Sequence, residues 1–133
     1  MKLANKNILI VGLGKTGVST ARFLKRKGAT VTATDRAKEH ELNIDVKTLL
    51  DLGVNLEIGY HKSESFEQAD LIILSPGVPH TIAPIKKAVA KGITVIGEIE
   101  IASRFIKEPI IAVTGTNGKT TTTTLLGEML KQC

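Results

Sequence analysis

The stretch NILIVGLGKTG, residues 7–17, decides the fold. Asn7–Val11 is an apolar run rich in β-branched residues, as a parallel strand buried on both faces requires. Gly12, Gly14 and Gly17 follow at once in the spacing G-x-G-x-x-G. Glycines so spaced make a tight turn, admit a diphosphate close to the backbone, and let a helix lie close to its strand. A helix is predicted from about Thr16 to Lys27, with Val18, Ala21, Phe23 and Leu24 inward and Gly28 just past its end. Thr30–Thr34 reads as the second strand, closed by Asp35. An acid about twenty residues beyond the glycines can hold a ribose hydroxyl or a base edge.

The same alternation continues along the chain. Arg36–Asn43 is a charged loop, Ile44–Leu52 a short helix ended by Gly53, and Val54–Ile58 a third strand. Gly59–Glu67 is a polar loop that includes one helical turn. Leu71–Leu74 is a fourth strand that runs into the rigid turn Ser75-Pro76-Gly77-Val78-Pro79. Ile82–Lys91 is a helix with Ile85, Ala88 and Val89 inward, and Ile93–Ile96 a fifth strand. Gly97–Ile106 is helical, and Pro109 marks a break. Strand and helix in turn predict an α/β, Rossmann-like parallel sheet of about five strands, flanked by helices with right-handed crossovers. Ligands of such sheets bind at the carboxyl ends of the strands. The glycine loop, Asp35–Arg36 and Ser75–Pro79 all fall at that edge.

A second anion site is written near the C-terminus in IIAVTGTNGKTTTTT, residues 110–124. Ile110–Val113 reads as a buried strand, Gly115 and Gly118 as a glycine-rich turn, and Lys119 onward as a helix. The free N–H groups of a helix start, beside a flexible cation and a hydroxyl, suit phosphate oxygens and a bound magnesium. The pattern departs from G-x-x-x-x-G-K-[ST] only in its first position, where Val113 stands for glycine. No strand follows to carry further acidic groups before Cys133, so the site reads as the start of an ATP-binding domain.

Composition narrows the class. Hydrophobic content of 42% with 3% aromatics predicts an aliphatic core. No apolar run approaches a membrane span, and the N-terminus lacks a secretory pattern. The lone cysteine, Cys133, can make no internal disulfide, which fits a reducing cytoplasm. The net charge of +5 comes from scattered residues without interleaved aromatics, which argues against nucleic acid as a partner. His40, His61 and His80 fall in loops and are expected to face solvent; Glu98 and Glu100 are expected on a helix surface or linker.

A glycine loop of this kind followed by a phosphate loop is an unusual pairing. The residues themselves leave open an NAD(P)-binding module. The stretches VGLGKTGVSTARFL (11–24), Thr34–Asp35, SPGVP (75–79), GEIEIA (97–102) and AVTGTNGKTTTT (112–123) resemble the N-terminal part of the Mur ligases of bacterial cell-wall synthesis. Within that family the likeness is strongest to the members that add D-glutamate to UDP-N-acetylmuramoyl-L-alanine, with the L-alanine-adding members as the alternative. The resemblance implies a UDP-substrate-binding domain over residues 1–106 and the first strand, P-loop and helix of a truncated central ATPase domain over 107–133. It implies that Gly14, Lys15 and Thr16 face the UDP diphosphate, that Asp35 and Arg36 flank the uridine, and that Gly77 lets the substrate approach. Gly115, Thr116, Asn117, Gly118, Lys119, Thr120 and Thr121 would hold ATP, with Lys119 and Thr120 the catalytic pair and Thr120 on Mg2+. The implied reaction passes through an acyl phosphate that the D-glutamate amine attacks. No membrane partner is expected, the intact enzyme is expected to be a monomer, and this stretch alone is expected to be inactive. The apolar strand 110–113, left without its own sheet, is expected to pack on the first domain, to self-associate with another copy, or to be disordered.

Overall fold

The computed structural model describes residues 1–132; Cys133 and the disulfide expectation attached to it lie outside them. Five parallel strands form one sheet: β1 (Asn7–Val11), β2 (Thr30–Asp35), β3 (Asn55–Ile58), β4 (Leu71–Leu74) and β5 (Thr94–Gly97), in the spatial order β3-β2-β1-β4-β5. The chain starts at the centre, winds outward to β3, then crosses back to β4 beside β1. That reversal leaves a crevice between the carboxyl ends of β1 and β4, where doubly wound sheets bind ligands.

Helices cover both faces. α1 (Lys15–Arg26), α2 (Val46–Asp51) and α5 (Glu98–Ser103) share a core with Ile8, Ile10, Val31, Ala33, Leu71, Ile73 and Ile96 through Ala21, Leu24, Leu49 and Ile101. α3 (Ser63–Glu67) and α4 (Ala83–Ala90) lie on the other face, where Phe66, Ile85 and Ala88 meet Leu9, Val11, Ile72 and Leu74. The strict alternation of Ile8, Leu9, Ile10 and Val11 between these two cores is the period-two geometry of a strand buried on both sides. At the opposite edge, Asp70 accepts from the backbone N–H of Asn7 at 2.8 Å and from Lys6 Nζ at 3.1 Å. The Asn7 N–H bond, and next the Lys6 ammonium, hold its carboxyl below the ordinary value and tie the starts of β1 and β4 together.

Three expectations are corrected, for Val89, Glu98 and Ile110–Val113. Val89 is 55% exposed, because α4 turns only Ile85 and Ala88 onto the sheet. The helical turn expected within residues 59–67 is present as Ser63–Glu67, with Phe66 buried on the sheet. Glu98 lies buried in the first turn of α5 instead of on a surface. Ile110–Val113 is not a strand; Ile110 and Ile111 are 58% and 62% exposed. A strand needs a ladder partner, and among the described residues every pairing in the sheet involves β1 to β5. The helix that follows, α6 (Lys119–Leu130), does form, because its hydrogen bonds are internal, and none of its residues is buried. Among the described residues no helix is long and apolar enough to cross a membrane.

Leu24 is fully buried between α1 and the sheet. Leu24→Ala is expected to lower unfolding stability by about 2–5 kcal/mol in denaturant titration, whereas Val89→Ala should change it by less than about 0.5 kcal/mol.

Candidate nucleotide site at the carboxyl edge of the sheet

The glycine loop is shaped by what it touches. Gly12 has φ +100° and a Cβ there would meet Ser75 Cβ at 2.8 Å. A Cβ on Gly17 would stand 2.3 Å from the Gly12 carbonyl oxygen, so α1 can pack here only without a side chain. Gly14 differs from both. It precedes α1 with ordinary φ −73°, and a Cβ would meet nothing within 4 Å. The fold itself does not require glycine at position 14, whereas close approach of a ligand to the loop backbone would.

Polar contacts lock the loop to its neighbours. Asp35 accepts from Leu13 N at 2.7 Å through Oδ2 and from Ala37 N at 2.8 Å through Oδ1. Its carboxylate thus clamps the glycine loop to the end of β2. Gly12 N donates to the Thr34 carbonyl at 2.9 Å, and Ser75 N to the Val11 carbonyl at 2.9 Å. The Ser75 hydroxyl lies 2.9 Å from the Gly12 carbonyl oxygen and 2.7 Å from Glu98 Oε1. Glu98 is therefore the buried brace of the SPGVP turn. Its other oxygen, Oε2, is buried with no partner among the described residues.

Beside the loop is a cleft of about 230 Å³, lined by Val11, Gly12, Asp35, Arg36, His61, Gly77, Val78, Pro79 and Ile82. It brings Asp35, Arg36 and Gly77 together as expected. Gly14, Lys15 and Thr16 do not line it; they are exposed at the start of α1 next to it, where the first helical N–H groups are free. Arg36 makes no hydrogen bond or ion pair among the described residues.

His61 corrects the expectation of a solvent-facing loop histidine, while His40 and His80 are exposed as expected. The His61 ring is half-buried, with Nδ1 2.8 Å from Thr34 Oγ1 and a T-shaped contact with Phe66 at 5.7 Å between centroids. Burial, and next the Arg36 charge, lower its pKa from the ordinary 6.5, while Asp35 and Glu57 act against them. The sequence signal was available: Gly59-Tyr60-His61 follows β3, whose end adjoins that of β2 at the carboxyl edge.

The second anion loop is exposed throughout. Gly118 takes a left-handed φ of +76° just before α6, and the Lys119 ammonium turns back onto the carbonyls of Gly115 and Thr116. Thr116, Asn117, Thr120 and Thr121 stand around that helix start, away from any buried surface. Among the described residues no cluster of three or more His, Cys, Asp or Glu side chains is arranged to hold a metal ion.

Two outcomes follow from the loop contacts. Ser75→Ala removes the hydroxyl beside the half-buried Gly12 carbonyl and the buried Glu98 carboxylate, and should cost about 1–3 kcal/mol of unfolding stability. Because the folded pKa of His61 lies below its unfolded value, its neutral form stabilises the fold above the unfolded value of 6.5. That contribution is lost as pH falls through the lower folded value. Between about pH 7.5 and about pH 5.5, the thermal midpoint of the wild type should fall further than that of His61→Gln.

Residues 6–97 match the family model for the Mur ligase MurD-like N-terminal domain. The chain is 58% identical over 127 residues to a UDP-N-acetylmuramoylalanine–D-glutamate ligase of Desulfosudis oleivorans, a match covering 96% of this chain and 28% of that protein. It spans under a third of the length of such curated relatives. Among solved structures it superposes on a murein peptide ligase of Psychrobacter arcticus with a TM-score of 0.67 at 27% identity, covering 96% of this chain and 26% of that one. It also matches a pseudomurein peptide ligase type C of Methanothermus fervidus, with a TM-score of 0.64 at 30% identity over the same shares. With the glycine loop, the Asp35 clamp and the SPGVP turn meeting at one sheet edge, the chain belongs to the Mur ligase family, in its MurD-like N-terminal domain.

Proposed function

We propose that this chain forms the uridine-nucleotide-binding domain of a cytoplasmic, ATP-dependent ligase that joins D-glutamate to UDP-N-acetylmuramoyl-L-alanine. The observation that carries the reading is the cleft that unites Asp35, Arg36 and Gly77 beside an open glycine loop. In this reading the N–H groups at the start of α1 hold the diphosphate, helped by Lys15 and Thr16, and Gly14 keeps that approach clear. Arg36 and the Asp35 turn flank the uridine, and Gly77 leaves room above the SPGVP turn. The names of relatives at 58% and 55% identity support the choice of D-glutamate ligase over its L-alanine-adding counterparts.

Asp35 also bears on the NAD(P) alternative. In dinucleotide sites the acid after the second strand faces a ribose hydroxyl. Here both carboxylate oxygens already accept backbone N–H groups, which ties Asp35 to the loop.

The second site fits a nucleoside triphosphate by its donor set. Gly115, Thr116, Asn117 and Gly118 form the loop, and Thr121 adds a hydroxyl at the start of α6. Lys119 would exchange its carbonyl contacts for phosphate oxygens, and Thr120 would hold Mg2+. ATP, when bound, supplies the phosphoryl group that activates a carboxylate for amide formation. In this proposal Lys119 and Thr120 offset charge on that group.

The test is calorimetric titration with UDP-N-acetylmuramoyl-L-alanine, with NADH and ATP–Mg in parallel. Saturable binding of the UDP compound, weakened roughly tenfold or more in Arg36→Ala, is expected from loss of a charge-assisted contact. NADH binding tighter than the UDP compound would overturn the reading.

A further inference from the structure

The buried end of β2 determines which ring nitrogen of His61 carries a proton. Thr34 is fully buried, and its hydroxyl stands 2.9 Å from the Tyr60 carbonyl oxygen and 2.8 Å from His61 Nδ1. A hydroxyl has one proton to give, and a carbonyl oxygen can only accept. Both contacts are satisfied together when Thr34 donates to Tyr60 and His61 Nδ1–H donates to Thr34. The neutral ring then has a bare lone pair on Nε2. Among the described residues Nε2 makes no hydrogen bond, and the ring forms one wall of the cleft. Phe66 packs against the ring at an interplanar angle of 76°, which fixes its plane. The charged groups around it are Asp35 and Arg36 at the end of β2 and Glu57 on β3. Arg36, a pure donor, lines the same cleft.

We propose that His61 reads the base of the nucleotide, its Nε2 accepting the imide N3–H of uracil while Arg36 donates to a neighbouring ring carbonyl. The proposal rests on the uridine reading above and adds a residue and a rule of discrimination to it. An acceptor beside a donor complements the donor–acceptor edge of uracil. Cytosine presents the reverse, a bare N3 beside an exocyclic amine, and N3-methyluracil has no proton to give. A site built to hydrogen-bond an N–H rejects an analogue without it, because the protein's own polar group is left unpaired. Thr34 acts through His61 as a positioning residue, since it sets the tautomer without touching the base.

The experiment uses the 133-residue chain. Imidazole 15N shifts of the free protein give the tautomer, and calorimetry gives the affinities for UDP, CDP and N3-methyl-UDP. Protonated Nδ1 and unprotonated Nε2 are expected near neutral pH, with UDP preferred over both analogues by roughly tenfold or more. His61→Phe keeps a ring against Phe66 but has no acceptor, and should bring UDP down to the level of CDP. His61→Gln can offer its amide oxygen and should restore part of the preference; amide spectra of both variants confirm folding. UDP affinity should fall as pH drops through the His61 pKa, and this dependence should vanish in His61→Phe. A proton on Nε2, equal binding of UDP and N3-methyl-UDP, or an unchanged preference in folded His61→Phe would overturn the proposal and leave the uridine reading standing. Failure of UDP itself to bind would overturn both.

Discussion

The carbonyl oxygen of Gly12 is the point on which the rest depends. It lies just past the end of β1, the central strand, and three elements converge on it. α1 approaches so closely that Gly17 cannot carry a Cβ, which would lie 2.3 Å from that oxygen. The turn after β4 reaches it through the Ser75 hydroxyl at 2.9 Å. α5 stands behind Ser75 through Glu98 Oε1 at 2.7 Å. The half-buried Gly12 carbonyl needs a donor, and a close-packed contact admits no added atom. Together these two demands fix how the helix, the turn and the sheet edge meet.

That junction explains why the cleft lies where it does. The strand order places β4 next to β1, so the loops after these strands leave in different directions and open a crevice. Asp35 then holds the glycine loop from the other side by accepting from Leu13 N. The amides at the start of α1 are therefore held in place before any ligand arrives, which lowers the ordering cost of binding an anion. In the proposed reading, binding chemistry in this domain comes mainly from backbone groups fixed by packing. Among the described residues, Arg36 and His61 have polar side-chain atoms still unpaired at the cleft, and the proposal assigns them to the rest of the ligand.

Much of this was legible in the sequence, and the failures share a cause. Strands and helices followed from apolar runs and glycine punctuation, because a parallel strand buried on both faces leaves an uninterrupted pattern such as NILIV. The glycine loop, Asp35 and the SPGVP turn were readable because their geometry is local. What escaped depends on contacts between distant residues. Glu98 looked like a surface acid until Ser75, far away in the chain, supplied its partner. His61 looked like a loop residue until Thr34 and Phe66 closed around it. Ile110–Val113 carries the composition of a strand, yet composition does not supply a ladder partner, and those residues stand exposed. The role of Asp35 was half legible: an acid at the end of β2 was expected, but its use as a clamp on Leu13 required coordinates.

The central claim is that the carboxyl edge of the sheet between β1 and β4 is the nucleotide site. It is tested most directly by mapping amide chemical-shift changes as UDP is added to the isotope-labelled chain. The account predicts changes concentrated at residues 12–17, 35–37, 61 and 75–78, with α6 and the loop before it unmoved. Changes confined to residues 114–121, with the glycine loop silent, would contradict it.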